Sequence, residues 1–363
     1  MIGPGFGLNG VFGVQARKES EIRRLEARRF DDDLRMFTWS RARARNLGCG
    51  ATIGFQTQYL TFARQWNGFH GSLTPCPITS GFTSIQVEIS SQYLGHASVH
   101  NPGFMISDMK TNTTKAKLLA GQTVYGTFIR YPDATLVETL AHHDWDFLLF
   151  DGEHGTIEPR DCEAMCRAAE LLEVTPVVRV PANQPHIILR FMDSGAHACQ
   201  VPWVNSALEA DNAVQSVKYG PRGKRGLAGV TRAANHGQRG ALTDYVQQAN
   251  TETMVIVQVE TVTAAENLES MLAVPDIDVF FVGPNDLAHS MGLPGQTQDP
   301  RVVAMIDGIF AKVLAAGKVP GIQVPNVDAA RAWRAKGARY ITIQLESLIR
   351  PAVEGYLKAV REG

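Results

Sequence analysis

No stretch of the sequence reaches the roughly 18 consecutive apolar residues that a membrane-crossing helix needs. The opening MIGPGFGLNGVFGV also lacks the basic start of an export signal. Both absences lead to the expectation of a cytoplasmic protein with no membrane partner. Neither sign of charge is in excess: 35 Lys and Arg stand against 36 Asp and Glu, a net of -1. A nucleic-acid surface favours a strongly basic chain, so this balance excludes nucleic acid as the expected partner. Cysteine is scarce as well. Cys49, Cys76, Cys162, Cys166 and Cys199 are odd in number and contain no C-x-x-C pair, which argues against a disulfide framework. Cys162 and Cys166 lie one helical turn apart without the further soft ligands that a zinc site requires, so core packing is their expected use.

Lysine is nearly missing from the first part of the chain, where Lys18 is the single one before residue 109. That region joins an Arg-rich patch (RRLEARRFDDDLR, then SRARARN) to a Gly/Ser/Thr/Gln-rich tract of poor periodicity. Residues 17–36 suit a charged helix. The RARAR run reads as a solvated or unfolded segment before it reads as a nucleic-acid contact. Residues 1–108 are therefore expected to form an extension that is disordered, or untranslated if Met109 is the true start. Residues 109–363 are expected to form the working domain.

From Met109 onward, short β-branched runs alternate with amphipathic ones. Strands are predicted at 123–129, 147–153, 176–181, 198–204, 254–260, 279–284, 320–325 and 340–346. Helical patterns such as PRDCEAMCRAAELLE, AAENLESMLAV and PRVVAMIDGIFAKVLAAG lie between them, the last closed by Gly317. Eight strands and eight helices, with strands apolar on both faces, predict a parallel sheet in an α/β fold, the (β/α)8 TIM barrel. A doubly wound open sheet is the alternative, but no Gly-rich phosphate fingerprint follows the first strand.

Barrel enzymes keep their chemistry at the carboxyl ends of the strands. There this chain places Asp151, Glu153 and His154 on the second strand, Arg179 on the third, Gln258 and Glu260 on the fifth, and Gly283-Pro-Asn-Asp286 on the sixth. Period-two spacing sends Gln258 and Glu260 to one side, inward. Glu260 and Asp286 are hard oxygen donors able to share one divalent cation that keeps positions open for water and substrate. The structural alternatives are a salt bridge from Glu260 to Arg179 and a helix N-cap role for Asp286. A cation within PVVRVP is costly unless paired or used, and Arg179 can hold a developing oxyanion. His154 is a candidate general base, histidine being the side chain whose ordinary charge change lies nearest neutrality. Asp151 is placed to orient Arg179 or a water.

FDGEHG, VVRVP, FMDSG, VPWV, VQVET and FVGPNDL, in this order and at these intervals over residues 109–363, resemble the HpcH/HpaI aldolase family. The resemblance implies a class II pyruvate aldolase on a (β/α)8 barrel, a homohexamer whose last helix is exchanged between subunits. It implies Glu260 and Asp286 as ligands of Mg²⁺ or Mn²⁺, with Co²⁺ also admissible, His154 as base and Arg179 as the enolate-stabilising cation. Gln258 becomes a neighbour of the metal, and backbone amides near Asn285 and Asp286 meet the substrate carboxylate. Asp193, in FMDSG, becomes the carboxylate paired with the catalytic histidine. Asp193 ends a helix and so lies at the wrong face of its own barrel, which places the partner histidine in an adjacent subunit.

The reaction so implied splits a 4-hydroxy-2-oxo acid reversibly into pyruvate and an aldehyde. No lysine stands at a strand end, which disfavours a Schiff-base route. In the last strand Gln344 and Glu346 depart from the family pattern and predict a narrower or more polar cavity. His142 and His143 read as a helix end. Arg222, Lys224 and Arg225 in GPRGKRG either meet an acidic aldehyde or form a solvated turn. The rivals are a sugar-acid aldolase acting on 2-keto-3-deoxy acids, a lyase acting on a CoA thioester like the citrate lyase β subunit, and a barrel scaffold without catalysis.

Overall fold

The computed structural model describes residues 111–238 and 240–362. The expectations for residues 1–108, including the helix at 17–36 and the use of Cys49 and Cys76, lie outside the described residues. Eight parallel strands close a barrel in chain order: β1 (Val124–Ile129), β2 (Phe147–Asp151), β3 (Thr175–Arg179), β4 (Ala198–Val201), β5 (Met254–Val259), β6 (Val279–Val282), β7 (Val319–Val324) and β8 (Tyr340–Gln344). β8 pairs back onto β1 from Val124↔Tyr340 to Phe128↔Gln344. All eight predicted strands are present. All but β1 end sooner than predicted.

Period-two alternation divides the strands into two apolar layers and one polar ring. Outward residues such as Leu148, Phe150, Val178, Cys199 and Val257 pack against the helices. Inward residues at the amino-terminal half, including Val124, Phe147, Leu149, Val177, Ile256 and Tyr340, fill the lumen. Phe147 stacks on Tyr340 with ring centroids 4.2 Å apart. Gly126 makes that possible, since a Cβ there would lie 2.3 Å from the Phe147 ring. Above these, the same inward rows turn polar. Asp151, Arg179 and Gln200 are register neighbours across β2, β3 and β4, and Gln344 lies opposite Phe128.

The helices outnumber the eight that were predicted. They are α1 (Thr113–Leu119), α2 (Ala134–Ala141), α3 (Pro159–Leu171), α4 (Pro185–Asp193), α5 (Ala207–Val217), α6 (Leu242–Glu252), α7 (Val262–Glu266), α8 (Leu268–Leu272), α9 (Pro284–Ser290), α10 (Pro300–Ala315), α11 (Val327–Ala335) and α12 (Leu345–Glu362). The surplus arises from α1 ahead of the barrel and from connections that hold two helices each. The predicted AAENLESMLAV helix breaks at Asn267 into α7 and α8. α10 ends as expected, with Gly317 at φ +68 just past its cap. His142 caps the end of α2. Cys162, Cys166 and Cys199 are buried free thiols in the core.

α1 closes the amino-terminal end of the barrel. Leu118 enters the lumenal core, Thr114 donates to the Asp146 carbonyl at 2.8 Å, and Asn112 donates to the carbonyls of His197 and Glu252. The GPRGKRG turn follows α5 and lies at this same floor, away from the mouth of its own barrel; nor is it simply solvated. Arg222 pairs with Asp211 and Asp276, and buried Arg225 pairs with Asp193 and lies 4.6 Å from the Tyr219 ring centre. Of its three cations, Lys224 is the exposed one. Among the described residues, no helix is long and apolar enough to cross a membrane.

Candidate active site

The polar ring lines a cavity of about 240 Å³ at the carboxyl end of the barrel, walled by residues that include Arg130, His154, Arg179, Gln258, Asn285 and Asp286. Its best-ordered feature is an ion pair. Arg179 donates from Nε to Asp151 Oδ1 at 2.9 Å and from Nη2 to Oδ2 at 2.6 Å, a two-pronged contact that fixes the guanidinium plane. Asp151 is fully buried and also accepts from the backbone N–H groups of Glu153 and His154, which folds the turn after β2. Burial alone would lift the Asp151 carboxyl, but Arg179 and these amides more than reverse that and hold it below the usual range. Gly155 is needed in the turn because a Cβ there would stand 2.3 Å from the Asp151 carbonyl oxygen. The short sequence after Phe150 is thus a carboxylate-centred turn that presents His154 to the cavity.

Glu260, immediately after β5, is 1% exposed. Its Oε1 accepts from the Trp203 backbone N–H at 2.7 Å, and its Oε2 accepts from Gln258, which in turn accepts from Gln200 at 2.7 Å. Trp203 reaches this position in the left-handed region, at φ 55. Burial pushes the Glu260 carboxyl up to about 7; the Trp203 amide opposes the rise, and Asp286 and Glu153 add to it. Glu153 is likewise raised, first by burial, although Arg179 opposes this. Its Oε2 lies 3.0 Å from Arg179 Nη1 at an angle that makes no hydrogen bond.

Gly283 shows how close the two predicted cation ligands come. A Cβ built on it would lie 2.9 Å from Glu260 Oε2 and 3.6 Å from Asp286 Oδ2, so both oxygens border one small space that any side chain would fill. Two hard oxygens around that space, with the Glu260 carboxyl raised by burial and by Asp286, fit a divalent cation. Among the described residues, no group of three or more His, Cys, Asp or Glu is placed to hold a metal. A cation at this position would take its remaining ligands from water or substrate.

Neither structural alternative for these two residues is found. Arg179 is engaged by Asp151 and Glu153 rather than Glu260, and Asp286 is the third residue of α9, whose N-cap is Gly283. Asn285 and Asp286 bring the first turn of α9 to the cavity wall. Asp193 is not brought to this cavity. It ends α4, where its Oδ1 accepts from Arg225 at 2.6 Å. The sequence reading passed over three contributors. Arg130 lies one step beyond β1, 3.4 Å from Asp151 and 3.5 Å from Glu346; Gln200 anchors Gln258; and Trp203 contributes its amide. Glu153, singled out at the end of the second strand without a role, joins the carboxylates. Arg130 was visible as an inward position, in phase with Phe128. The Trp203 amide had no signal in side-chain chemistry. Near β8 the cavity wall is polar, with Gln344 in it and Glu346 facing Arg130.

Fold and site define a (β/α)8-barrel protein whose chemistry lies where the strands end, around a buried carboxylate cluster and a paired arginine. Residues 125–351 match the family described as HpcH/HpaI aldolase/citrate lyase, and the chain belongs to it. It is 38% identical over 246 residues to a hydroxypyruvate/pyruvate aldolase of Sagittula stellata, covering 68% of this chain and 96% of that one. To a 4-hydroxy-2-oxo-heptane-1,7-dioate aldolase of Salmonella dublin it is 35% identical, covering 66% and 90%. Among solved structures, an HpcH/HpaI aldolase/citrate lyase family protein from Burkholderia cenocepacia J2315 superposes with a TM-score of 0.66 at 35% identity, over 69% of this chain and 100% of that one.

Proposed function

We propose that this protein is a divalent-metal-dependent aldolase that cleaves a 4-hydroxy-2-oxo acid reversibly to pyruvate and an aldehyde. The observation that carries the reading is the meeting of Glu260 and Asp286 around Gly283 in the cavity that Arg179 and His154 also line. The similar Sagittula and Salmonella proteins, both named as aldolases of 2-oxo acids, support it. Glu260 and Asp286 would hold Mg²⁺ or Mn²⁺, which when bound supplies Lewis-acid polarisation of the 2-oxo group.

The remaining work falls to the chain. The amides of Asn285 and Asp286 receive the substrate carboxylate, and Gln258 holds Glu260 in place. His154 takes the proton of the 4-hydroxyl as the C3–C4 bond breaks. The bonding pair passes into the C2–C3 enolate, whose oxygen faces the Arg179 guanidinium, and the proton held by His154 passes to C3 to yield pyruvate. Asp151 keeps Arg179 charged and oriented while this happens.

The active unit is assigned to residues 109–363 and, in the assembled protein, to more than one subunit. Asp193 is partly exposed and has no contact with its own His154, which suits a role beside the histidine of an adjacent copy. On α12 the apolar residues Leu348, Ile349, Val353, Tyr356, Leu357 and Val360 are exposed along one stripe, which suits exchange of this helix in a homohexamer. Free thiols at Cys162, Cys166 and Cys199 suit a reducing, cytoplasmic setting. The CoA-thioester reading loses its cationic groove, because Arg222 and Arg225 are already paired.

The test incubates the full-length protein with pyruvate and a panel of aldehydes, with Mg²⁺, Mn²⁺ or EDTA. Aldol product that vanishes with EDTA and survives borohydride is the expected result. Product that persists in EDTA, or activity confined to a CoA ester, would sink the reading.

A further inference from the structure

We infer that a second cavity adjoining the first receives the aldehyde half of the substrate and is built for a short hydroxylated chain without a charged end. The inference rests on the aldolase reading above. The two cavities share Pro284, Asn285, Gln323 and Gln344 as a common wall. The second, about 150 Å³, extends past them to Thr297, Gln298, Ser347 and the Trp333 ring. An aldehyde carbon attacked by the pyruvate enolate must lie inside the first cavity. The rest of that aldehyde then has an adjoining space to enter.

The chemistry of that space is uniform. Each polar side chain on its wall is an uncharged amide or hydroxyl. Such groups both donate and accept, as the hydroxyls of a polyol do, and can match several of them at once. Trp333 offers an apolar ring for the C–H side of the same chain. A carboxylate would leave water for amides alone, without a cation to offset its desolvation. The neighbouring cations are committed elsewhere. Arg179 is held by Asp151 and Glu153, Arg130 lies between Asp151 and Glu346, and Lys336, 4.4 Å from the Trp333 ring centre, is bound by both oxygens of Asp307.

The test uses full-length protein with pyruvate and three acceptors: glyceraldehyde, propanal as its apolar counterpart of equal length, and succinic semialdehyde as the carboxylate-ended one. kcat/KM for glyceraldehyde is expected to exceed each of the others by about tenfold or more. In Gln298→Leu, an exposed-loop change, and in Thr297→Val, the ratio of glyceraldehyde to propanal should fall by about 3- to 10-fold per variant. A preference for succinic semialdehyde or propanal, or ratios unmoved in both variants, overturns this inference while the aldolase reading stands. Exchange of the pyruvate methyl protons with D2O needs only the first cavity and separates the remaining outcomes. Exchange without product from any acceptor overturns the inference alone, and neither exchange nor product overturns both.

Discussion

The two ends of this barrel bury polar groups to opposite effect. At the floor, most buried groups find a complement, with Arg225 Nε and the Tyr340 hydroxyl left without a hydrogen bond. Lys218 donates to the carbonyls of Asn250 and Thr253 and to the Thr253 hydroxyl, Thr114 donates to Asp146, and Glu170 joins His197 and Arg232. At the mouth, Glu153, Glu260 and Asp286 crowd together, the two glutamates with carboxyls raised by burial and by Asp286, and a Glu153 oxygen lacks a hydrogen bond. Satisfied groups hold a structure together, whereas frustrated ones cost stability and persist where a ligand relieves them. Within one subunit the floor therefore reads as architecture and the mouth as chemistry, Asp193 being the floor residue assigned to the site of an adjacent copy.

The largest expected effect breaks the comparison at the mouth. Glu260→Gln or Asp286→Asn should lower kcat/KM by about 10³-fold or more without lowering Tm, because each removes charge from a crowded cluster. Steady-state kinetics beside thermal melts check this, and a large fall in Tm would count against it. His154→Asn should follow with a loss of about 10²- to 10⁴-fold in kcat, the range for a removed acid–base group. The floor should invert the pattern. Lys218→Met strips the donor from two buried carbonyls and should cost about 1–3 kcal/mol in denaturant unfolding while per-molecule kcat holds.

A smaller effect concerns pH. Glu260 ionises near 7 in the folded protein against an ordinary 4.5, so its carboxyl is harder to ionise folded than unfolded. That contribution to stability is complete below about pH 4.5 and is lost as pH rises through about 7, a change on the order of 3 kcal/mol without metal. Asp151 works in the opposite sense, its depressed value favouring the fold above the unfolded range and losing that advantage only in acid. Between pH 5.5 and 8 the Asp151 contribution is constant. The Tm of EDTA-treated protein should fall across this window, and Glu260→Gln should flatten the slope. An equal slope in the variant would assign the effect elsewhere.

The barrel was legible because burial on both faces imposes continuous apolar runs, and those runs survived in the sequence at all eight strands. Arg179, Glu260 and Asp286 were legible for a related reason, since a charge at the end of an apolar run is conspicuous. Helix number was less so. Asn267 divides one apolar pattern without interrupting its periodicity, and α1 closes the barrel through hydrogen bonds from Asn112 and Thr114 that no local pattern announces. The GPRGKRG turn was misplaced for want of a partner. Its arginines look free until Asp193, Asp211 and Asp276 are brought beside them by the fold. The Trp203 amide was hidden because backbone donors carry no side-chain signature.

The central claim is that carboxylates from two adjacent barrel units grip one cation beside a guanidinium. Calorimetric titration of Mn²⁺ into metal-stripped full-length protein tests it most directly. The account predicts one Mn²⁺ per chain in the wild type and an affinity lowered about tenfold or more in both Glu260→Gln and Asp286→Asn. Wild-type affinity in either variant would contradict it.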